Sequence, residues 1–403
     1  MIGQSVPQKK LFDIRASFIV IAIFLLVVLL GIRGSTQWIT PSTGGFPYRE
    51  FILKYTSIPT IGALANFDGV QYLIIADHDA YYQYQQAYFP LFPLLIKVVG
   101  TIIGGKLLYG GLVISVFSLF WGLILLRKLL NSLPGKNKFV WSSVVYLLLL
   151  PGSFFFVSVY TESLFLTLFC GALLLLNRKQ YVLAAITACL LGMTRLVGVF
   201  VVIPIVVYFA FPYLSEKRAW LKRFIQGLKP VHLLVIFSPV LGLLIYMTYL
   251  YITVGDPLAF IHAQKAFNNN RSTSIVLLPQ VIYRYFKILT TAQLDVAYIV
   301  ASVEIGVFIA YIALLARQFY RYVVLKKDAH WLTWGILLFS IANLILPTLT
   351  GTLSSIPRYG LLSLAVLMEI NQCSRKMKYL LGFVFGIINL LMLVLFAQGY
   401  FVS

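Results

Sequence analysis

The chain has 403 residues, 60% of them hydrophobic, and carries 32 Lys and Arg against 12 Asp and Glu, a formal net charge of +20. Apolar runs near 20 residues recur along it, and a run that long spans the hydrocarbon core of a bilayer as a helix, so the composition excludes a soluble globular domain and points to an all-α polytopic membrane protein. The charge does not signal nucleic acid, because the basic residues fall in short clusters between apolar runs, as the loop charges that orient membrane helices do.

At the N-terminus Lys9, Lys10 and Arg15 precede "ASFIVIAIFLLVVLLGI", which no small-residue cleavage site follows, so this stretch reads as an uncleaved first membrane helix. Five more basic clusters come after it: Arg127/Lys128/Lys136/Lys138, Arg178/Lys179, the Lys217 to Lys229 segment, Arg317 to Lys327, and Arg375/Lys376/Lys378. Placing all six on the cytoplasmic side accounts for 21 of the 32 basic residues and requires an even number of crossings between successive clusters. Eleven helices satisfy this, at 16–34, 106–126, 139–157, 161–177, 181–193, 196–212, 231–254, 295–316, 331–350, 359–373 and 379–399. The apolar segment 88–104 would throw the Arg127 cluster outside if it crossed, so it reads as interfacial or re-entrant. The long polar-containing stretches then collect on the non-cytoplasmic face: a large first loop over 35–105, the turn near 151–163, a second long loop over 255–294, and 351–359. The whole of 1–403 reads as one integral membrane unit. Cys170, Cys189 and Cys373 lie inside apolar runs without disulfide or metal spacing.

The first loop is unusual. "NFDGVQYLIIADHDAYYQYQQAYFPLFP" puts Asp68, Asp77 and Asp79 within twelve residues. A helix over Asn66–Ala76 places Asp68, Gln71, Tyr72 and Ile75 on one face, with Asp68 projecting from a mostly apolar amphipathic helix. A carboxylate there is suited to act as general base toward a sugar or alcohol hydroxyl. On a continuous helix Asp79 lies about 16 Å from Asp68, so the two share a site only if the helix breaks. Capping and solvation remain the alternative for Asp77 and Asp79. The tyrosines Tyr81, Tyr82, Tyr84 and Tyr88 either stack on sugar rings or anchor the loop at the membrane interface. Further along, Arg195 in "GMTRLVG" sits at the tip of two short helices, where a cation at membrane depth faces a cavity or partner, or snorkels.

Taken together, "FDGVQYLIIADHDAYYQYQQAYFPLFP", "YTES" at 160–163, "TRLVG" at 194–198, "GDPLAFIHAQ" at 255–264 and "SSIPRYGLL" at 354–362 resemble, in order and spacing, the segments of the PIG-V-like mannosyltransferases. The resemblance implies a class C glycosyltransferase-like fold with a large first extracytoplasmic loop. It also implies a polyprenyl-phosphate sugar donor and Asp68 in the position of the catalytic acid. Phe67, Gln71 and Ala80 depart from the family's usual Trp, His and Gly, and Gln71 cannot titrate as an imidazole does.

Inverting transfer from a lipid phosphate needs a base for the acceptor proton, stabilisation of an oxocarbenium-like centre, and cations on the departing phosphate. Asp68 is the candidate base. Arg358 is the first candidate for the phosphate and Arg195 the second, since a guanidinium binds phosphate with paired hydrogen bonds. Glu162 is either a substrate ligand or an N-terminal helix charge, and Asp256 in "GDP" is a turn former with a lesser acceptor role. Gln71 and Tyr72 on the face of Asp68, together with Asp79, and Tyr359 beside Arg358, complete the expected substrate-binding set. No P-loop, Rossmann glycine pattern or Cys/His cluster occurs in the sequence, so nucleotide binding is not expected, no cofactor is called for, and a divalent metal stays open without a motif to support it. The expected partners are a polyprenyl-phosphate sugar, an extracytoplasmic glycan, glycolipid or protein acceptor, and the bilayer of a prokaryotic plasma membrane or the endoplasmic reticulum. The rival classes are a transporter or flippase for a lipid-linked anion and a non-catalytic assembly protein; inverted repeats would favour the transporter, and none is evident.

Overall fold

The computed structural model describes residues 6–42, 49–78, 81, 84–133, 141–214, 219–263, 275–325 and 330–402, which are mainly helical, with no strand among them. Seven helices are long and apolar enough to cross a membrane: Phe12–Trp38, Leu107–Asn131, Leu196–Tyr213, Pro230–Val254, Val296–Val323, Trp331–Thr348 and Arg375–Ala397. The chain is an integral, multi-pass membrane protein. These seven fall on seven of the eleven expected crossings. The other four correspond to Trp141–Leu149, Glu162–Asn177, Tyr181–Gly192 and Leu364–Gln372, of 9, 16, 12 and 9 residues. At 1.5 Å per residue each is shorter than a bilayer core, so helix length identifies seven crossings and does not by itself test the other four.

Contacts sort the helix ends into two groups. At one end Arg127 pairs with Asp13 and lies 5.7 Å from the Trp141 ring, and His232 stacks on Phe209 at 4.5 Å and meets Tyr181 edge-on at 5.1 Å. Tyr208 there meets Trp331 at 4.7 Å, and Arg321 and Arg317 reach Glu369 at 3.0 and 3.3 Å. These are the ends beside the basic clusters. At the other end Ser35 accepts a bond from Gln398 at 2.6 Å, and the Asn66 amide donates to the Phe396 carbonyl at 2.8 Å. The Leu91 N–H meets the Met193 carbonyl at 3.1 Å, and Tyr246 donates to the carbonyls of Gln86 and Tyr88 at 2.8 and 3.1 Å.

Helix–helix approach is closest where side chains are smallest. A Cβ added to Gly192 would lie 2.1 Å from the Pro239 carbonyl oxygen, and one at Gly242 would lie 2.1 Å from that of Cys189. Helices Tyr181–Gly192 and Pro230–Val254 are therefore in backbone contact, the small-residue packing typical of membrane bundles. Inside, the rings of Phe154, Phe155, Phe156, Phe165, Phe169, Phe339 and Phe396 are fully buried, supplying the dispersion contacts that hold such bundles together.

The first loop differs from its sequence reading. Its helix is Asp68–His78, and residues 69–76 are all buried. The expected amphipathic helix is instead enclosed, because Leu91–Ile102 and Leu107–Asn131 pack around it and join it in one apolar cluster. Helix Leu91–Ile102 buries Phe92 and Ile96 and exposes Leu94, Val98 and Ile102, so it is apolar on its inner and its outer face, as a lipid-facing helix is.

Candidate active site

The sequence places Asp68, Glu162, Arg195 and Arg358 on four separate segments; the fold brings them to one point at the end opposite the basic clusters. Glu162 opens helix Glu162–Asn177 and is fully buried. Its Oε1 accepts from Arg358 Nε at 2.5 Å and from Arg195 Nη1 at 2.5 Å, while Oε2 has no partner among the described residues. Arg358 Nη1 also pairs with Asp68 Oδ2, and the guanidinium lies 4.5 Å from the Tyr160 ring and 5.4 Å from that of Phe155. Arg195 lies over Tyr359 at 5.3 Å. Two carboxylates thus face two guanidiniums, which satisfies the rule that buried charges occur paired.

Asp68 is held on both sides. Its Oδ1 accepts from the Tyr88 hydroxyl at 3.0 Å, opposite the Arg358 contact. Burial alone would raise its carboxyl, but the Arg358 guanidinium and the bonds from Arg358 and Tyr88 prevail and hold it below the usual carboxylate range. Of the four, Asp68 is the most open, with a quarter of its side chain exposed against 7% for Arg358. Positive-φ backbone precedes both members of this pair: Phe67 has φ 57° and Ser355 φ 69°. Non-glycine residues rarely adopt this region, and such strain collects at functional sites, held by the surrounding packing. Phe67 is held by Phe396 and Phe401, at ring distances of 5.7 and 5.4 Å.

The remaining expected residues divide. Tyr72 is buried in the same cluster, edge-on to Tyr88 and Phe92 at 5.1 Å each. Gln71 is turned to a structural use, its Oε1 accepting from Gln85 Nε2 at 2.8 Å. Asp79 lies outside the described residues. Asp77 stands apart from the site, paired with Lys54 at 2.5 Å and accepting from Tyr55 at 3.1 Å. Asp256 is a turn former, accepting from the Leu258 N–H at 2.9 Å and facing His262 Nδ1 at 2.7 Å. Two site residues escape the sequence reading. The sequence leaves Tyr88 among the loop's anchoring or stacking tyrosines and gives Tyr160 of "YTES" no role of its own. Tyr160 donates to the Asn66 carbonyl at 2.8 Å and underlies Arg358. Only its place two residues before Glu162 offered a signal.

No protein-family profile matches the chain. Over 164 residues it is 27% identical to GPI mannosyltransferase 2 of Yarrowia lipolytica, a match covering 41% of this chain and 43% of that protein. The match therefore spans less than half of the curated relative's length. Among solved structures, the Archaeoglobus fulgidus oligosaccharyltransferase, in complex with Zn and sulfate, aligns with 94% of this chain and 53% of its own at a TM-score of 0.45 and 14% identity. The similarity to a GPI mannosyltransferase is consistent with the PIG-V-like resemblance carried by the motifs that build this site.

Proposed function

We propose that the chain transfers a hexosyl residue, mannose by resemblance, from a polyprenyl-phosphate donor to a glycan, glycolipid or protein acceptor on the non-cytoplasmic face, with inversion and with Asp68 as general base. The observation that carries this reading is the meeting of Asp68, Glu162, Arg195 and Arg358 at the bundle end remote from the basic clusters. Asp68 takes the acceptor hydroxyl proton as the new C–O bond forms. The anomeric C–O bond to phosphate breaks, and polyprenyl phosphate leaves with the electron pair.

Arg358 has a double task in this scheme. Before donor arrives it is engaged through Nε and Nη1, and Nη2 makes no bond to a described residue. A phosphodiester approaching Nη2 competes with Asp68 for the guanidinium, while Glu162 keeps it in place through Nε. Drawing Arg358 toward the phosphate leaves the Asp68 carboxylate less compensated and hence a stronger base. Arg195, stacked on Tyr359 and tied to Glu162, supplies the second positive charge beside the leaving group. The test is transfer from radiolabelled polyprenyl-phosphate mannose in membranes containing the protein. Incorporation into endogenous acceptor above that of membranes lacking it supports the reading, and none with any polyprenyl-phosphate hexose refutes it.

A further inference from the structure

A second polar network lies beside the site. Glu304 sits two turns inside the membrane helix Val296–Val323, 5% exposed. An ionisable group at such depth is costly and is kept there by a partner or a function. Its Oε2 accepts the hydroxyl of Tyr285 at 2.5 Å. Tyr285 comes from Leu278–Thr291, a helix of the second loop that buries Val281 and Tyr285. The same hydroxyl accepts from the Leu353 N–H at 3.1 Å and lies 3.2 Å from Thr352 Oγ1, so its one proton goes to Glu304 and its lone pairs to the 352–353 turn.

That turn leads directly to the active site. Leu353 is fully buried, and its carbonyl accepts from the Ile356 N–H at 3.0 Å. Helix Ile356–Gly360, which bears Arg358, begins there after the left-handed Ser355. Two further second-loop residues hold the preceding stretch: Arg284 Nη1 donates to the Gly351 carbonyl at 3.0 Å, and the Val276 N–H donates to the Leu349 carbonyl at 2.9 Å. The 349–353 strap is therefore fixed from outside by the second loop at three points. Its strained exit at Ser355 needs such support, since a left-handed serine persists only where surroundings over-determine it.

We propose that Tyr285, oriented by Glu304, is a positioning residue that sets Arg358 for its anionic ligand by gripping the turn at Leu353. The grip itself is a statement about the fold; its consequence for donor phosphate rests on the function proposed above. Tyr285→Phe removes the hydroxyl and leaves the buried Leu353 N–H without a partner. An orphaned buried donor of this kind corresponds to about a tenfold change in a local opening equilibrium.

Two readouts on the full chain in lipid nanodiscs separate the two statements. Amide hydrogen exchange should speed up about tenfold in Tyr285→Phe over residues 349–359, with the rest of the bundle within about twofold. Glu304→Ala should do the same, and Glu304→Gln, which keeps an acceptor, should stay within about threefold of wild type. Affinity for undecaprenyl phosphate should fall about tenfold in Tyr285→Phe. Unchanged exchange over 349–359, or acceleration spread evenly through the bundle, overturns the grip. Localised acceleration with undiminished lipid-phosphate affinity overturns the link to Arg358. A wild-type protein that binds no undecaprenyl phosphate, but shows the localised exchange, refutes the proposed donor and leaves the grip standing.

Discussion

Asp68 was legible because its setting is local: a motif and a helical face are both properties of adjacent residues. Its partner was not, since Arg358 lies 290 positions away and nothing in either segment names the other. Arg358 was expected to meet a phosphate, yet the nearest groups to it are two carboxylates, which makes it first an organiser of the acids. Asp68→Asn is nearly isosteric and should lower transfer about 10²–10⁴-fold, the usual loss with a general base; radiolabel transfer retaining more than about a tenth of the wild-type rate assigns the base elsewhere. Because Arg358 depresses the carboxyl, Asp68 stays ionised from neutral pH down to its folded-state value, below the ordinary value near 4. Its stabilising contribution is present above the unfolded value and is lost as pH falls through the folded one. The pH profile of kcat/KM for donor should accordingly show no acid limb from Asp68 between about pH 5 and 7; a limb near pH 6 that vanishes in the Asn variant contradicts the ion pair. Arg358→Ala leaves Glu162 facing Arg195 alone and orphans part of a buried network, at a cost of about 3–5 kcal/mol, together with a donor affinity lower by about tenfold or more. Arg358→Lys keeps the charge but cannot span Asp68 and Glu162 as a planar fork does, so it should recover thermal stability more than donor binding.

At the scale of elements, hydropathy located the apolar helices and misjudged which face of one of them meets water. In a bundle surrounded by lipid, core-facing and lipid-facing positions are both apolar, so composition does not separate them. The few polar residues of Asp68–His78 suggest an amphipathic helix, yet Leu91–Ile102 and Leu107–Asn131 enclose it. Short helices escaped the length argument for a related reason: Glu162–Asn177 and Tyr181–Gly192 carry site residues at or just beyond their ends and need only reach them. "GMTRLVG" owes its form to close packing. A Cβ on Gly198 would lie 2.0 Å from the Leu191 carbonyl oxygen, and Gly192 and Gly242 bring two helix backbones together just before Arg195. Gly242→Leu must push these helices apart, and overpacking of this kind costs about 1–3 kcal/mol or more. It should lower the melting temperature in detergent and, by carrying Arg195 away from Glu162, reduce transfer beyond what the remaining folded fraction explains. A Leu variant with wild-type melting and rate shows that the contact is not needed to place Arg195.

Over the whole molecule, the sequence's charge asymmetry and the structure's contacts describe one division by independent routes. The basic clusters were assigned to one face because loop cations are retained in the cytoplasm. Side-chain contacts group Asp13 with Arg127, His232 with Tyr181 and Phe209, and Arg321 with Glu369, all from helix ends beside those clusters, whereas Asp68, Glu162, Arg195 and Arg358 gather at the opposite ends. Contacts say which ends lie together, and the charges say which side they face, so the orientation is open to direct test. Single cysteines at 222, in the exposed basic helix Trp220–Gly227, and at 256, in the exposed second-loop turn, should differ in labelling by an impermeant maleimide on intact cells. The background needs Cys170, Cys189 and Cys373 replaced; two are buried and one half-buried, so alanine at each leaves the surface unchanged. Position 256 should label in intact cells and position 222 only after permeabilisation. Strong labelling at 222 from outside would invert the bundle and place the Asp68 site in the cytoplasm, where the proposed extracytoplasmic transfer has no place.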